Sequence, residues 1–110
     1  MKQREIYLAD LEPIKGQEQK GTRPVVIVSG PSMNSYFNLV TICPLSTKIK
    51  NYPVCAVIKK NARNGLKSDS EVLTFHIRTV SKDRLIKKMG EISGDQLEQI
   101  FQGLNDILRY

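Results

Sequence analysis

Short apolar runs, separated by polar residues, glycine and proline, occupy most of the chain up to residue 92. Residues 5–11 and 24–29 are rich in aliphatic and β-branched side chains, which predicts two strands. Residues 15–22 hold two glycines and no large apolar side chain, which predicts an exposed loop. Four later runs predict further strands, the last of them short: residues 39–45, 54–58, 71–80 and 85–92.

The hydrophobic period changes near the C-terminus. Ser93 and Gln96 have the spacing of a helix-capping box. The apolar residues that follow recur at intervals of three and four, as in an amphipathic helix: Leu97, Ile100, Phe101, Leu104, Ile107 and Leu108. Five or six strands followed by one helix predict a mainly β (α+β) fold, a small SH3-like barrel with the helix packed against it.

Length and composition are those of an ordinary globular protein. The 110 residues are 40% hydrophobic and 25% charged, which excludes a disordered tail, a collagen-like repeat and a coiled-coil rod. This length suits one domain, residues 1–110. The sequence contains neither an apolar run of membrane-helix length nor a signal-peptide pattern, so we expect a cytoplasmic protein.

Charge and cysteine content limit the binding partners and the metal sites that the protein could have. Seventeen Lys and Arg against eleven Asp and Glu give a net charge of +6, which fits a nucleic-acid-binding domain or a merely cationic one. Cys43, Cys55 and a single histidine are too few for a Cys/His zinc site. We therefore expect chemistry that needs no metal or uses carboxylates, and two buried, reduced thiols.

The segment from Gly16 to Pro24 carries the most specific pattern in the chain. Its glycines allow close backbone approach to a ligand, and Pro24 favours an extended conformation at Arg23. An arginine held rigidly offers a fork of donors suited to a phosphate. The alternative is an ordinary surface loop in which Arg23 extends over the edge of the sheet.

This segment resembles the signature loop of the MazF/PemK/Kid toxin family, the endoribonucleases of bacterial toxin–antitoxin modules. Residues 4–10, 43–47 and 77–85 resemble further family segments in the same order. The resemblance implies a homodimeric, CcdB/MazF-like barrel that cleaves single-stranded RNA sequence-specifically, without a metal or other cofactor. It also implies products ending in a 2′,3′-cyclic phosphate and a 5′-hydroxyl, and a cognate antitoxin protein that blocks the groove.

By this resemblance, Arg23 is the active-site arginine and Ser46 the active-site hydroxyl residue. When a ribose 2′-OH attacks the adjacent phosphate, the protein must stabilise charge and move two protons. A guanidinium stays protonated, so Arg23 stabilises charge or protonates the leaving 5′-oxygen rather than acting as a base. Ser46 donates a hydrogen bond to the phosphate, or alternatively caps the turn before Lys48.

Two residues are candidates for the acid or base. Glu18 lies in the signature loop, and His76 is the only side chain that ionises near neutrality without perturbation. One branch of the family has an aspartate where Phe75 stands, so its mechanism does not carry over directly. Alternation along the predicted strand turns Phe75 and Ile77 to the core and His76 outward, and we assign His76 to RNA contact first.

The other RNA-binding candidates lie in or beside the same loops: Gln19, Lys20, Thr47, Lys48, Lys50 and Arg78. Tyr36 or Phe37 offers a ring for base stacking. Two other functions stay open, namely a non-catalytic nucleic-acid- or peptide-binding barrel, which Phe75 favours, and a gyrase-directed toxin of the same fold.

Overall fold

A computed structural model describes residues 1–11 and 21–110. Within these residues, seven strands form an antiparallel sheet in the order β4-β5-β3-β2-β1-β7, and β6 also pairs with β3. The sheet is not closed, because β4 and β7 lie at its two ends. The strands are β1 (Glu5–Asp10), β2 (Thr22–Ile27), β3 (Leu39–Ser46), β4 (Ala56–Ile58), β5 (Ser70–Val72), β6 (Arg78–Ser81) and β7 (Leu85–Glu91).

Helix α2 (Gly94–Arg109) follows the last strand, as the sequence predicts. The Gln96 amide donates to Ser93 Oγ at 3.1 Å, and the Ser93 amide donates to Gln96 Oε1 at 2.9 Å. This capping box satisfies two backbone N–H groups at the start of the helix. The predicted fold class, mainly β with one C-terminal helix, is confirmed.

Two apolar clusters pack on the sheet. The first includes the buried residues of α2, Leu97 and Ile100, together with Ile6, Val26, Val28, Cys43, Leu45, Ile58, Leu66, Val72 and Ile92. The second is built from side chains of opposite parity on the same strands, because successive strand residues face opposite sides: Ala9, Val25, Ile27, Val40, Ile42, Val80 and Leu85. The sheet therefore has apolar side chains packed on both faces.

A short helix, α1 (Pro31–Tyr36), lies between β2 and β3, where the sequence analysis predicts no helix. Proline at its first turn suits a helix start, because the missing N–H would have no helical partner there. The six residues are too few for hydrophobic periodicity to reveal the helix.

Residues 71–80 do not form the single strand that their composition predicts. A 3₁₀ turn, Thr74–His76, separates β5 from β6. Both strands pair with β3, but the three steps along β3 from Leu45 to Ile42 correspond to six steps from Val72 to Arg78. The turn takes up the three extra residues.

The predicted core positions of Phe75 and Ile77 are therefore wrong. Phe75 is 43% exposed and Ile77 is 41% exposed, whereas Thr74 is fully buried. Alternation holds only for continuous extended strand, and the 3₁₀ turn interrupts it. His76 is also exposed.

The two cysteines are both free thiols. Cys43 is buried in β3, whereas Cys55, just before β4, is only half-buried, so the prediction of two buried thiols holds for Cys43 alone. Burial raises the pKa of the Cys43 thiol to about 12, with a smaller contribution from Cys55. Neither helix in the described ranges is long and apolar enough to span a bilayer.

Candidate functional site

Arg23 and Ser46 lie at one end of the central strands. The β2–β3 ladder ends with Val25 opposite Pro44, and Arg23 and Ser46 each lie two residues beyond that pair in their own strands. Ala9 pairs with Arg23 on the other side. Residues two apart in a strand share a face, so Arg23 lies on the face of Val25 and Ser46 on the face of Pro44, which is the same face of the sheet.

Arg23 is exposed at this end of the central strands. Among the described residues Arg63 pairs with Glu91 and Lys88 with Glu5, and Arg23 belongs to neither of these ion pairs. A guanidinium carries five N–H donors, which suit the binding of an anion at this end of the strands.

The Ser46 hydroxyl already takes part in the turn after β3. Its oxygen accepts a hydrogen bond from the Lys48 amide at 3.1 Å. This is the turn-capping role that the sequence analysis kept as an alternative. A hydroxyl that accepts one bond keeps its own proton to donate, so capping and phosphate binding are compatible.

The loop of residues 47–53 is held against the sheet by a buried carboxylate. Glu71 stands opposite Ser46 in the β3–β5 ladder and is 0% exposed. Its Oε1 accepts from the Lys50 amide at 2.7 Å, and its Oε2 accepts from the Tyr52 amide at 2.8 Å. Because it is buried and both oxygens are engaged, Glu71 is not available as a general base.

An aromatic cluster continues from this loop. The Tyr52 ring meets the Phe75 ring edge-on, with centroids 5.2 Å apart, and Phe75 in turn contacts His76 at 4.8 Å. The Leu73 amide donates to the Pro44 carbonyl at 2.9 Å, so the turn that carries Phe75 and His76 begins beside β3. His76 is therefore connected to the region of Ser46 through the rings of Phe75 and Tyr52.

The other predicted RNA contacts are distributed unevenly. Thr47 and Lys48 are exposed directly after Ser46, whereas Arg78 is exposed on β6, opposite Ile42. Tyr36 and Phe37 precede the start of β3, roughly 23 Å from Ser46 at about 3.3 Å per strand residue. Within one chain, their rings are therefore remote from Arg23. The predicted residues Glu18, Gln19 and Lys20 lie outside the described residues.

One cavity adjoins the region of Arg23 and Ser46, and a second cavity lies elsewhere. One of about 320 Å³ opens beside Pro24 and Thr47, the neighbours of Arg23 and Ser46, and has an apolar lining of Leu8, Leu66 and Met89. A larger one of about 650 Å³ lies around the N-terminus, α1 and Lys82, and includes neither Arg23 nor Ser46. In the described part of the chain, His, Cys, Asp and Glu side chains form no group of three able to hold a metal ion.

Sequence reasoning missed Glu71, Tyr52 and the exposure of Phe75. Glu71 is the first residue of the predicted strand and follows Ser68, Asp69 and Ser70, so the sequence gives no signal that it is buried. Tyr52 gives no signal either, because its contact with Phe75 depends on the turn that breaks the predicted strand.

The family assignment agrees with this fold and site. The model of a family described as the PemK-like, MazF-like toxin of type II toxin–antitoxin system matches residues 2–108. The chain belongs to this family, and the predicted resemblance is confirmed.

One relative by sequence and two solved structures agree with the family assignment. An endoribonuclease MazF of Staphylococcus saprophyticus is 32% identical over 101 residues, which is 91% of this chain and 84% of the relative. The crystal structure of MazF from Deinococcus radiodurans has a TM-score of 0.81 at 22% identity, covering 100% of this chain and 97% of that one. A mycobacterial endoribonuclease in complex with its cognate antitoxin has a TM-score of 0.80 at 23% identity, covering 98% and 94%.

Proposed function

We propose that this toxin is an endoribonuclease that cleaves single-stranded RNA by attack of the ribose 2′-OH on the adjacent phosphate. The products end in a 2′,3′-cyclic phosphate and a 5′-hydroxyl, and the reaction uses no metal or cofactor. The observation that carries the proposal is the exposed Arg23 guanidinium on the same face of the sheet as Ser46, at the same end of the central strands. The endoribonuclease relative from Staphylococcus saprophyticus supports it.

Arg23 stabilises the negative charge that develops on the non-bridging phosphate oxygens. Its planar fork of donors matches two phosphate oxygens at once, and its position on a strand limits its reorganisation during the reaction. Ser46 donates a second hydrogen bond to the same phosphate while its oxygen keeps the Lys48 amide bond. Both groups act most strongly where charge increases in the transition state.

The proton of the 2′-OH passes to a base, for which Glu18 and His76 are the candidates. His76 lies beyond Phe75 and Tyr52, within an exposed aromatic cluster suited to base contact. We therefore assign His76 to RNA binding and keep Glu18 as the candidate acid or base. The proposed RNA-binding set is completed by Gln19, Lys20, Thr47, Lys48, Lys50 and Arg78.

The proposed partners are single-stranded RNA, a cognate antitoxin and a second copy of the chain. The net charge of +6 favours both an RNA strand and an acidic peptide on the same surface. The similar mycobacterial endoribonuclease was solved in complex with its cognate antitoxin. In this proposal residues 1–110 form one domain and the toxin acts in the cytoplasm.

The proposal is tested by incubating the purified chain with long single-stranded RNA in excess EDTA. We expect cleavage, and Arg23→Ala should reduce its rate on the order of a hundred- to a thousandfold while the protein stays folded. Ser46→Ala should cost about fivefold, because one neutral hydrogen bond contributes roughly 1 kcal/mol. Arg109→Ala, an exposed arginine at the end of α2, is the matched control and should cleave at the wild-type rate.

Three outcomes would redirect the assignment. RNA that stays intact at micromolar protein, but is bound, indicates a non-catalytic binding barrel. Intact RNA together with trapped gyrase–DNA complexes indicates a gyrase-directed toxin. An unchanged single-turnover rate for Arg23→Ala removes that residue from the mechanism.

A further inference from the structure

Glu71 is a charged side chain in the most buried part of the small β3–β5–β4 region. It occupies the middle of a three-residue strand, between Ser46 of β3 and Val57 of β4, and it is 0% exposed. An aliphatic side chain would suit a strand paired on both sides, whereas a buried carboxylate is costly unless hydrogen-bond donors compensate it.

The donors come from one loop. Lys50 and Tyr52 each donate a backbone amide to a different oxygen of Glu71, at 2.7 and 2.8 Å. Asn51 between them has φ of +56°, a left-handed conformation that lets the chain turn around the carboxylate. In the described part of the chain no lysine or arginine side chain forms an ion pair with Glu71. Its contacts therefore fix the path of the loop backbone.

The loop that Glu71 holds carries groups that suit RNA. It begins directly after Ser46 and presents the exposed cations Lys48 and Lys50. Its Tyr52 ring packs edge-on against Phe75 at 5.2 Å, which keeps two partly exposed rings together. Cations and rings side by side match the alternation of phosphates and bases along a single strand.

We infer that Glu71 is a positioning residue: its buried carboxylate preorganises the loop of residues 47–53 so that Lys48 and Lys50 bind phosphates of the RNA strand next to the cleavage point. The inference rests on the proposed function, in which this surface binds single-stranded RNA. The ordered loop keeps both ammonium groups within reach of the phosphates, and a loop released from Glu71 loses these contacts, so Glu71 acts on RNA affinity and its salt dependence without touching RNA.

The test compares wild type with Glu71→Gln, which keeps the shape but presents an N–H₂ group to one of the two amides. The ligand is a short single-stranded RNA with 2′-O-methyl groups, whose blocked 2′-oxygens cannot react. Affinity is measured by fluorescence anisotropy across a range of salt concentrations. For single strands each phosphate contact contributes about 0.7 to the slope of log K against log salt, so loss of both lysine contacts lowers the slope by about 1.4.

A double-mutant comparison separates positioning from general destabilisation. Glu71→Gln should lower the salt slope about as much as Lys48→Ala/Lys50→Ala, and should add nothing in that background. Hydrogen exchange of the Lys50 and Tyr52 amides should become faster. Val72→Ala, the matched control on the same strand, destabilises the core opposite Leu45 and should leave the slope unchanged.

An unchanged slope in Glu71→Gln, or an equal further loss in the background without both lysines, overturns the inference. If Glu71→Gln does not fold, Asn51→Val replaces it, because a β-branched residue resists positive φ whereas Asn51→Gly accepts it. Asn51→Val should then lower the slope and Asn51→Gly should not; equal slopes contradict the inference. Because binding is measured without cleavage, an inactive wild-type protein would refute the proposed function and leave this result readable.

Discussion

At the scale of single residues, His76 has two candidate roles, RNA contact and general base, and the pH dependence of the cleavage rate distinguishes them. It is exposed and packs beside Phe75, as a residue that contacts RNA would. We expect His76→Gln to weaken RNA affinity modestly and to leave the saturated single-turnover rate and its pH profile unchanged. A rate that falls by more than about a hundredfold, together with a changed pH profile, would instead identify His76 as the general base.

The raised pKa of Cys43 predicts how the free energy of unfolding changes at alkaline pH. Its pKa is raised to about 12 by burial, while an unfolded chain ionises the thiol near 9. Below pH 9 the thiol is protonated in both states, so it has no effect; above pH 9 the unfolded state binds fewer protons than the native state, and stability falls. The free energy of unfolding should therefore decline between pH 9 and about 12 by up to about 1.4 kcal/mol per pH unit.

The measurement is urea unfolding of wild type and Cys43→Ala across this range. Cys43→Ala should be less stable at neutral pH, because it leaves a cavity, but its stability should fall less steeply above pH 9. Lysine and tyrosine ionisation is common to both proteins and cancels in the difference. Parallel curves would mean that the thiol ionises in the folded state as easily as in the unfolded one.

At the scale of elements, the packing of α2 decides the effect of a glycine substitution. Helix propensity alone predicts that Gly103→Ala stabilises the protein by about 1 kcal/mol. In the structure a Cβ at Gly103 would lie 2.1 Å from the Val54 carbonyl oxygen, so α2 must move away from the segment before β4. We expect Gly103→Ala to destabilise by about 1 to 3 kcal/mol instead.

The check is the urea midpoint of Gly103→Ala beside that of Gln102→Ala, an exposed neighbour on the same helix. Gln102→Ala should be close to neutral, because it removes only an exposed hydrogen bond to Asp106 and brings no atom against Val54. If Gly103→Ala equals or exceeds wild type in stability, the helix does not pack as closely on Val54 as described.

At the scale of the whole molecule, apolar side chains left exposed point to self-association. The apolar stripe of α2 buries Leu97 and Ile100, but Leu108 near its end is 83% exposed. We expect a two-fold dimer, with sedimentation at micromolar concentration giving twice the 12.5 kDa mass of the chain. Leu108→Lys should weaken the dimer about tenfold or more, because an ammonium group replaces apolar contact.

Leu108→Lys changes a largely exposed side chain, so the folded monomer should keep its stability. Gln102→Lys on the same helix adds the same charge at an exposed polar position and serves as its control. A wild-type species of only 12.5 kDa would contradict the dimer. Equal weakening by both substitutions would instead attribute the effect to charge.

Local patterns in the sequence are enough to predict most of the strands and the C-terminal helix. Alternating and continuous apolar runs placed β1, β2, β3 and β7, and the period of three and four with its Ser93 cap placed α2. These features depend on residues close together in the chain, so hydrophobic periodicity reports them directly. The signature loop likewise identified Arg23 as a candidate, and the structure places it exposed at one end of the central strands.

Tertiary structure alone decided the break at Thr74–His76, the exposure of Phe75 and the burial of Glu71. All three follow from how residues 70–81 pair with β3, since two different registers on one strand force three residues into a turn. Nothing in residues 71–80 alone signals that break, because their composition is that of a continuous strand. The buried carboxylate is tolerable only because Lys50 and Tyr52, about twenty residues earlier, bring their amides to it. Long-range pairing thus determined which polar groups meet, and the sequence determined which elements were available to pair.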